Sequence, residues 1–312
     1  MWLALAFISA TLLGFYDVSK KTALKDNAVL PVLLLNTLFS SIIFSPFIID
    51  GLTGSGWFSG TVLDTSPFAG HPETSGSSGH SLIHAHLLVL AKSAMVLTSW
   101  IFGYFGMKHL PITIVGPINA TRPVLVLIGA MLVFGERLNG WQWAGVILSI
   151  ISLFLLSLSS KKEQVDFKRN KWIWCIAAAA LVGAFCGLYD KFILRQLGPM
   201  FVQSWYTFYQ LLLMGAVCMG LWWPNRKHTT PFKWSWAIPL ISIFLSAADF
   251  AYLSALNQPE SMISVVSLIR RGSVLVSFAC GVMIFHEKNL KAKALDLIFI
   301  LIGMICIWIG SH

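Results

Sequence analysis

The sequence predicts an all-α membrane protein of ten transmembrane helices, arranged as two inverted five-helix repeats. The 312 residues are 56% hydrophobic and 11% charged, whereas about a quarter of the residues in a soluble domain are charged. The apolar runs are about 20 residues long, which is the length of a helix that crosses a bilayer. Five such runs precede a charged linker and five follow it. Because five is odd, the second copy must be inverted relative to the first.

The predicted organisation divides the chain into residues 1–160, a basic linker at residues 161–171, and residues 172–312. The predicted spans are residues 2–19, 30–49, 86–107, 112–134, 141–158, 172–194, 200–223, 236–256, 261–285 and 292–310. No basic region precedes the first run, so we expect it to remain as a span rather than to be cleaved as a signal peptide.

Short motifs that recur in the two halves support the duplication. Gly14-Phe15-Tyr16-Asp17 ends the first apolar run and returns as Gly187-Leu188-Tyr189-Asp190 at the end of the sixth. The ends of the fourth and ninth spans, Phe134-Gly135-Glu136-Arg137 and Phe285-His286-Glu287-Lys288, are also alike. A proline opens each of these two spans, Pro111 in the first half and Pro259 in the second.

The distribution of lysine and arginine predicts the orientation of the chain. If the N-terminus is outside, the inside loops hold most of the basic residues that flank spans, and the outside holds little beyond Arg137, Lys191 and Arg195. This positive-inside bias places both termini and the polar loop of residues 50–85 outside. The loop carries His71, His80 and His84, with His86 just after it, so either metal capture or a solvated segment is compatible with the sequence.

The ten spans, the proline before the fourth span of each half and the segment Phe134-Gly135-Glu136-Arg137-Leu138 resemble the EamA-type drug/metabolite transporter superfamily. The resemblance covers nearly the whole chain and implies a transporter, whereas its loose motifs imply little about the substrate. Many members are drawn with both termini in the cytoplasm, against the lysine and arginine distribution here. The pair Arg270-Arg271 also resembles the basic pair of triose-phosphate and nucleotide-sugar transporters, which implies a phosphorylated substrate.

Three arginines lie deep within predicted spans. Arg122 is eleven residues beyond Pro111, which is about 15 Å, or half the hydrocarbon core. Arg270 and Arg271 lie comparably deep in the ninth span. A guanidinium at such depth must contact carboxylates, carbonyls, water or substrate. Either substrate binding or a structural ion pair, for instance with Asp249, is compatible with the pattern.

Polar residues follow helical spacing in several spans, facing either a cavity or another helix. We expect the eighth-span stripe to face a cavity, since it contains a carboxylate, and leave the seventh-span stripe open. The eighth-span stripe is Ser242, Ser246, Asp249 and Tyr252, and the seventh-span stripe is Gln203, Thr207 and Gln210. Asn119 lies one turn before Arg122, and Pro117, Pro123 and Gly272 predict interruptions beside the deep arginines.

The remaining buried charges suggest gating and coupling. Asp17 and Asp190 are either a pair of gates that latch to basic groups or interfacial carboxylates beside Lys20 and Lys191. Asp249 is the candidate for proton coupling. Lys92 is expected to extend outward to the membrane surface.

The sequence contains no nucleophile, phosphate-binding or zinc-protease motif, so an enzyme is not expected. We expect no cofactor, no metal site and no nucleic-acid partner. The expected partners are a small-molecule substrate and the lipid bilayer. The sequence does not decide whether the protein forms a homodimer. The deep arginines exceed Asp249 by two charges, which favours an organic anion or zwitterion, such as a phosphorylated or carboxylate metabolite. The alternatives are a proton-coupled exporter of drugs or other solutes and a non-transporting scaffold or receptor. The expected location is the bacterial cytoplasmic (inner) membrane.

Overall fold

The computed structural model describes residues 1–24, 27–61, 63–68, 82–109, 118–119, 121–158, 171–224, 226, 230–273, 275–277, 279–280 and 290–310. Within these residues the regular secondary structure is helical. Several sequence predictions lie outside the described residues, namely His71, His80, Pro111, Pro117, the linker residues 161–170 and the ninth-span ending at residues 285–288.

The helices of the first half are α1 (Trp2–Leu24), α2 (Val29–Thr53), α3 (Leu82–His109), α4 (Arg122–Phe134) and α5 (Gly140–Leu158). Those of the second half are α6 (Lys171–Ile193), α7 (Pro199–Val217), α8 (Ala237–Leu256), α9 (Ile263–Arg271) and α10 (Leu290–Gly310). A π-helical turn, Cys218–Trp222, continues α7.

Five helices in the described part of the chain are long and apolar enough to cross a membrane: Trp2–Leu24, Val29–Thr53, Leu82–Gly103, Lys171–Ile193 and Ala237–Leu256. Shorter apolar helices occupy Arg122–Phe134, Gly140–Ser152 and Leu301–Gly310. The all-helical class is therefore confirmed for the described residues, and several of their helices have the length and composition of membrane spans. The full set of ten spans and the inverted repeat stay predictions.

The chain forms two compact units, and each draws on both halves of the sequence. Unit 1 consists of Met1–Leu97 and Asp190–Pro259, and unit 2 consists of Thr98–Tyr189 and Glu260–His312. The boundaries fall within α3 and α6, so these two helices contribute residues to both units. The predicted repeats are divisions of the sequence, and the compact units cut across them.

In unit 1, α8 packs against both α1 and α2. Ser242 Oγ donates to the Asn36 carbonyl oxygen at 3.1 Å, and Ser246 Oγ lies 3.2 Å from Ser40 Oγ. The sequence separation is 206 in both pairs, and this constant offset requires α2 and α8 to run parallel. Hydrogen bonds of this kind join helices in a membrane, where packing and polar contacts replace the hydrophobic driving force.

The beginning of the predicted polar loop folds back onto α2. Gly54 ends the helix in the left-handed conformation with φ of 64°, which costs glycine little because it has no Cβ. The buried Asp50 carboxylate then accepts hydrogen bonds from Ser55 Oγ, the Trp57 N–H and Thr65 Oγ1 at 2.6–2.8 Å. This part of the loop is therefore held by a carboxylate that the sequence analysis did not identify.

Asp64 holds the same loop from a more exposed position. Its oxygens accept hydrogen bonds from the N–H groups of Ser66 and Gly60, at 2.9 and 3.2 Å. Partial burial raises the pKa of Asp64, but hydrogen bonds to the Ser66 N–H and hydroxyl and the Gly60 N–H outweigh it, so the pKa is lowered. The loop therefore favours the charged form of this carboxylate.

In unit 2, small residues allow α5 and α10 to approach closely. A Cβ added at Gly145 would lie 2.5 Å from the Gly303 carbonyl oxygen, and one added at Gly303 would lie 2.9 Å from the Gly145 carbonyl oxygen. Neither position can accept a larger residue without separating the backbones. This is the small-residue packing typical of membrane helices. In the same unit, Ser99 Oγ joins α3 to α6 through the Ala179 carbonyl oxygen at 2.9 Å.

Candidate functional site

Arg122 in unit 2 lies at a helix start rather than within a continuous span. Residues 118 and 119 are helical, Thr121 forms a turn, and α4 begins at Arg122. Pro123 follows directly and has no N–H, so the Asn119 carbonyl loses the donor that a continuous helix would supply. The predicted interruption beside Arg122 is therefore confirmed at Pro123. Arg122 and Asn119 are both partly buried.

Arg270 and Arg271 occupy the last turn of α9, which ends at a turn through Gly272. The Gly272 N–H contacts the Ile269 carbonyl oxygen at 2.8 Å, a tighter bond than the regular helical pattern. The interruption predicted at Gly272 is therefore also confirmed. Because cations are favoured at a helix C-terminus, these two arginines have a stabilising electrostatic role that does not depend on any contact with a substrate. Arg122 has no such role, since a cation at a helix N-terminus is disfavoured.

Glu136 links the two arginine-bearing helices, which pack against each other in unit 2. Gly135 ends α4 with φ of 65° and directs the next residue towards the start of α9. Glu136 Oε1 accepts the Ile263 N–H at 2.7 Å, and Oε2 accepts the Ser264 N–H at 3.2 Å and the Ser264 hydroxyl at 2.5 Å. A carboxylate placed against unsatisfied N–H groups stabilises a helix start. The recurring motif at residues 134–137 thus has a structural role in the first half.

A buried ion pair lies in unit 1. Lys92 Nζ is 2.8 Å from Asp190 Oδ1, and the two side chains are 6% and 11% exposed. Lys92 Nζ also lies 4.8 Å from the centroid of the Tyr206 ring, a cation–π distance. The expectation that Lys92 extends to the membrane surface was wrong, because a buried carboxylate is close enough to pair with it. Asp190 has a basic partner on another helix, as the gate hypothesis requires, and a gating role for this pair stays a prediction.

The amide side chains of α7 are among the most buried polar groups of unit 1. Gln203 and Gln210 are 1% and 2% exposed. Gln203 Oε1 and both amide atoms of Gln210 make no hydrogen bond within the described part of the chain. Buried polar atoms in native proteins almost always have a partner, which includes water or ligand. A polar molecule or water beside these two amides would supply the missing hydrogen bonds.

The polar stripe of α8 divides into two parts. Ser242 and Ser246 are engaged with α2, so the expectation that they face a cavity was wrong: helix contact explains them. Tyr252 is buried and Asp249 is partly buried on the same helix. Asp17 lies partly buried near the end of α1, where Lys20 stands 5.4 Å from the centroid of the Tyr16 ring. The roles of Asp249, Tyr252 and Asp17 stay predictions.

The predicted site residues fall in separate units. Asn119, Arg122, Arg270 and Arg271 belong to unit 2, and Asp17, Asp190, Gln210, Asp249 and Tyr252 belong to unit 1. The structure brings together the arginine helices α4 and α9 in unit 2, and Lys92 with Asp190 in unit 1. Glu136 and Lys92 were not predicted as site residues. The recurrence of the Glu136 motif and the depth of Lys92 in its span were the signals available for them.

Comparison with known proteins identifies the family. The sequence model of the EamA-like transporter family matches residues 1–158. Among solved structures, one crystal structure aligns with this protein over 98% of this chain and 95% of the other chain. The TM-score is 0.71 and the sequence identity is 16%. That likeness shows a shared fold. No curated protein matches the sequence.

Members of the matched family are membrane transporters rather than enzymes. Several helices of this chain are long and apolar enough to span a bilayer, which agrees with that assignment. The chain is therefore an integral, multi-pass membrane protein, and it belongs to the EamA-like transporter family of the drug/metabolite transporter superfamily.

Proposed function

We propose that this transporter is a secondary exporter of a small organic anion or zwitterion, such as a phosphorylated or carboxylate metabolite, and that it works by alternating access. The observation that carries the proposal is the position of the three deep arginines at helix interruptions of unit 2. Arg122 begins α4 after one interruption, and Arg270 and Arg271 precede another at Gly272. Interrupted helices are where membrane transporters commonly build substrate sites.

The charge of this group favours an anionic cargo. A guanidinium presents a planar set of donors that matches carboxylate and phosphate oxygens. Arg122 adds to this because it stands at the positive end of a helix, where a negative group is favoured. A bound anion would relieve the concentration of positive charge on two packed helices. A lipophilic cation would increase it.

The proposal includes a location in the bacterial cytoplasmic membrane, contact with the lipid bilayer, no nucleic-acid partner and either a monomer or a homodimer. Membrane fractionation tests the location, and cross-linking in the membrane tests the oligomer.

Flux measurements on reconstituted protein test the function. We would load liposomes with one radiolabelled probe at a time: glycerol 3-phosphate, succinate, alanine or tetraphenylphosphonium. The proposal expects protein-dependent flux of one of the first three. Arg122→Gln should weaken that flux at least about tenfold, because losing one contact to a buried charge costs about 2 to 5 kcal/mol.

Arg137→Gln is the matched control, since Arg137 is an exposed arginine of the same unit. It should leave the flux unchanged. Transport of tetraphenylphosphonium alone would contradict the sign of the cargo. The absence of flux for every probe, from folded protein, would count against the proposed cargo classes.

A further inference from the structure

In unit 2 the Arg122 guanidinium packs directly against the backbone of α6 at Gly183. We call this contact surface the seat of the guanidinium. A Cβ added at Gly183 would overlap three atoms of Arg122, namely Nη2, Cζ and Nε. These atoms are the guanidinium group itself rather than its aliphatic stem. Gly183 is buried, so the guanidinium lies against the α6 backbone at a position that has no side chain.

Alanine would be the ordinary residue at this place in the helix. The residues around Gly183 include Ala177, Ala178, Ala179, Ala180 and Ala184. Alanine is the best helix former, and glycine in a helix interior is destabilising relative to it. Helix formation therefore gives no reason for a glycine at position 183. The close approach of Arg122 does.

A methyl group at position 183 would affect the position of the Arg122 guanidinium more than the stability of the protein. Non-bonded carbon atoms rest at about 3.5–4.0 Å, so a methyl group at position 183 would displace the guanidinium by an amount on the order of 1 Å or more. The displaced group is the far end of a flexible side chain, which can move without unfolding the helices. The end that moves is the one proposed to contact the substrate.

We propose that Gly183 is a positioning residue for the anion site: its missing side chain forms the seat that fixes the Arg122 guanidinium. This inference rests on the proposed function in assigning Arg122 to the cargo, whereas the seat itself depends only on the contact described above. Arg122 also makes other contacts in the protein, and the seat on α6 is the part that a single methyl group tests.

The first experiment measures the position of Arg122 without any substrate. Purified wild type and Gly183→Ala would be treated with phenylglyoxal, which modifies arginine, and the modification of Arg122 would be followed by mass spectrometry. A guanidinium displaced from its seat should react several-fold faster. An unchanged or slower rate in Gly183→Ala would overturn the inference, whatever the transport activity.

Gly129→Ala is the matched control. Gly129 lies on α4, and a Cβ there would overlap the Leu188 side chain of α6, so this variant adds one methyl group to the same pair of helices without touching Arg122. It should leave the reactivity of Arg122 unchanged. An equal increase in both variants would mean that general overpacking, rather than the seat, is responsible, and would also overturn the inference.

The second experiment measures flux of the probe that wild type carries fastest among glycerol 3-phosphate, succinate and alanine. Gly183→Ala should weaken the flux at least about tenfold, as expected for a misplaced charge contact, and should have no further effect in an Arg122→Gln background. Additive losses in the double variant would show that Gly183 acts independently of Arg122 and would overturn the positioning role.

The two experiments separate the inference from the proposed function. If Gly183→Ala raises the reactivity of Arg122 while Arg122→Gln transports normally or wild type carries none of the three probes, the seat is upheld and the assignment of Arg122 to the cargo fails. If Arg122→Gln loses transport but Gly183→Ala changes neither reactivity nor flux, the proposed function is upheld and the seat is refuted.

Discussion

Lys92 Nζ lies 2.8 Å from Asp190 Oδ1, in a part of unit 1 where both side chains are almost completely buried. Lys92 belongs to α3 and Asp190 to α6, so the pair joins two helices of different sequence halves. A buried ion pair is a weak source of net stability, because desolvation of the two charges offsets their attraction. Removing one partner has a larger effect, since it leaves the other charge buried and uncompensated.

We therefore expect Lys92→Met to destabilise the protein by about 3 to 5 kcal/mol. The double variant Lys92→Met/Asp190→Leu should be distinctly more stable than the single variant, because no isolated charge remains. Thermal unfolding in detergent, followed by intrinsic fluorescence, would rank the stabilities of wild type and the two variants. A single variant as stable as wild type would show that the pair is solvated in the membrane protein.

Glu136→Ala should loosen the start of α9. The substitution removes the acceptor of the Ile263 and Ser264 N–H groups, and loss of such a cap costs about 0.5 to 2 kcal/mol. Hydrogen exchange at these two amides should accelerate accordingly. Glu136→Gln is the control, since its amide oxygen still accepts one bond, and its exchange should be intermediate. Equal exchange in all three proteins would contradict the cap.

Ser242→Ala should weaken the contact between α2 and α8. The hydroxyl donates to the Asn36 carbonyl and side-chain oxygens, and polar contacts between membrane helices average about 0.6 kcal/mol. The expected loss is of that order, measured as a shift in the unfolding midpoint. Ser45→Ala on the same α2 helix is a suitable control, because Ser45 is partly exposed and, within the described residues, its hydroxyl donates only to the Ile42 carbonyl oxygen of its own helix. If Ser45→Ala lowers the unfolding midpoint as much as Ser242→Ala does, the interhelical role of Ser242 is refuted.

Asp249→Asn should abolish the pH dependence of transport if flux is coupled to protons. The carboxylate is partly buried on α8, and ionisable groups within a membrane span commonly mark proton pathways. Flux would be compared at several external pH values with Asp64→Asn as the control, because Asp64 lies in the loop after α2. Full pH dependence in Asp249→Asn would eliminate this residue as the coupling group.

Both termini and the loop after α2 are expected outside. Trp57 in this loop is 68% exposed, whereas Arg226 lies in an exposed segment predicted inside. With the native cysteines replaced, an impermeant maleimide should label Trp57→Cys on intact cells and Arg226→Cys only after permeabilisation. The reverse pattern would show that both termini lie in the cytoplasm, as they are drawn in many members of the family. The orientation predicted from the lysine and arginine distribution would then be wrong.

The features that depend on local composition could be predicted from the sequence alone. Helix periodicity and apolar length predict the spans, and Pro123 and Gly272 predict the interruptions because each changes the backbone at its own position. Bounds were less accurate: α2 extends to Thr53, four residues beyond the predicted end at residue 49, since the helix terminates only where Gly54 can adopt the left-handed conformation.

Features that depend on a distant partner could not be predicted. Lys92 has the length to reach the membrane surface, and only the position of Asp190 explains why it stays buried. Ser242 and Ser246 have the spacing of a cavity-lining stripe, and the same spacing suits a contact with α2. The seat at Gly183 is likewise invisible in the sequence, because a glycine among alanines gives no indication of what lies opposite it.

The constant separation between the residues that join α2 and α8 also constrains the path of the chain through the bilayer. Two parallel spans leave the membrane on the same face, so a tag inserted after Thr53 and one inserted after Asn257 must be reached from the same compartment. The chain between the end of α2 and the start of α8 must then cross the bilayer an odd number of times. The five predicted spans in that interval satisfy this parity, and a set of four or six would not.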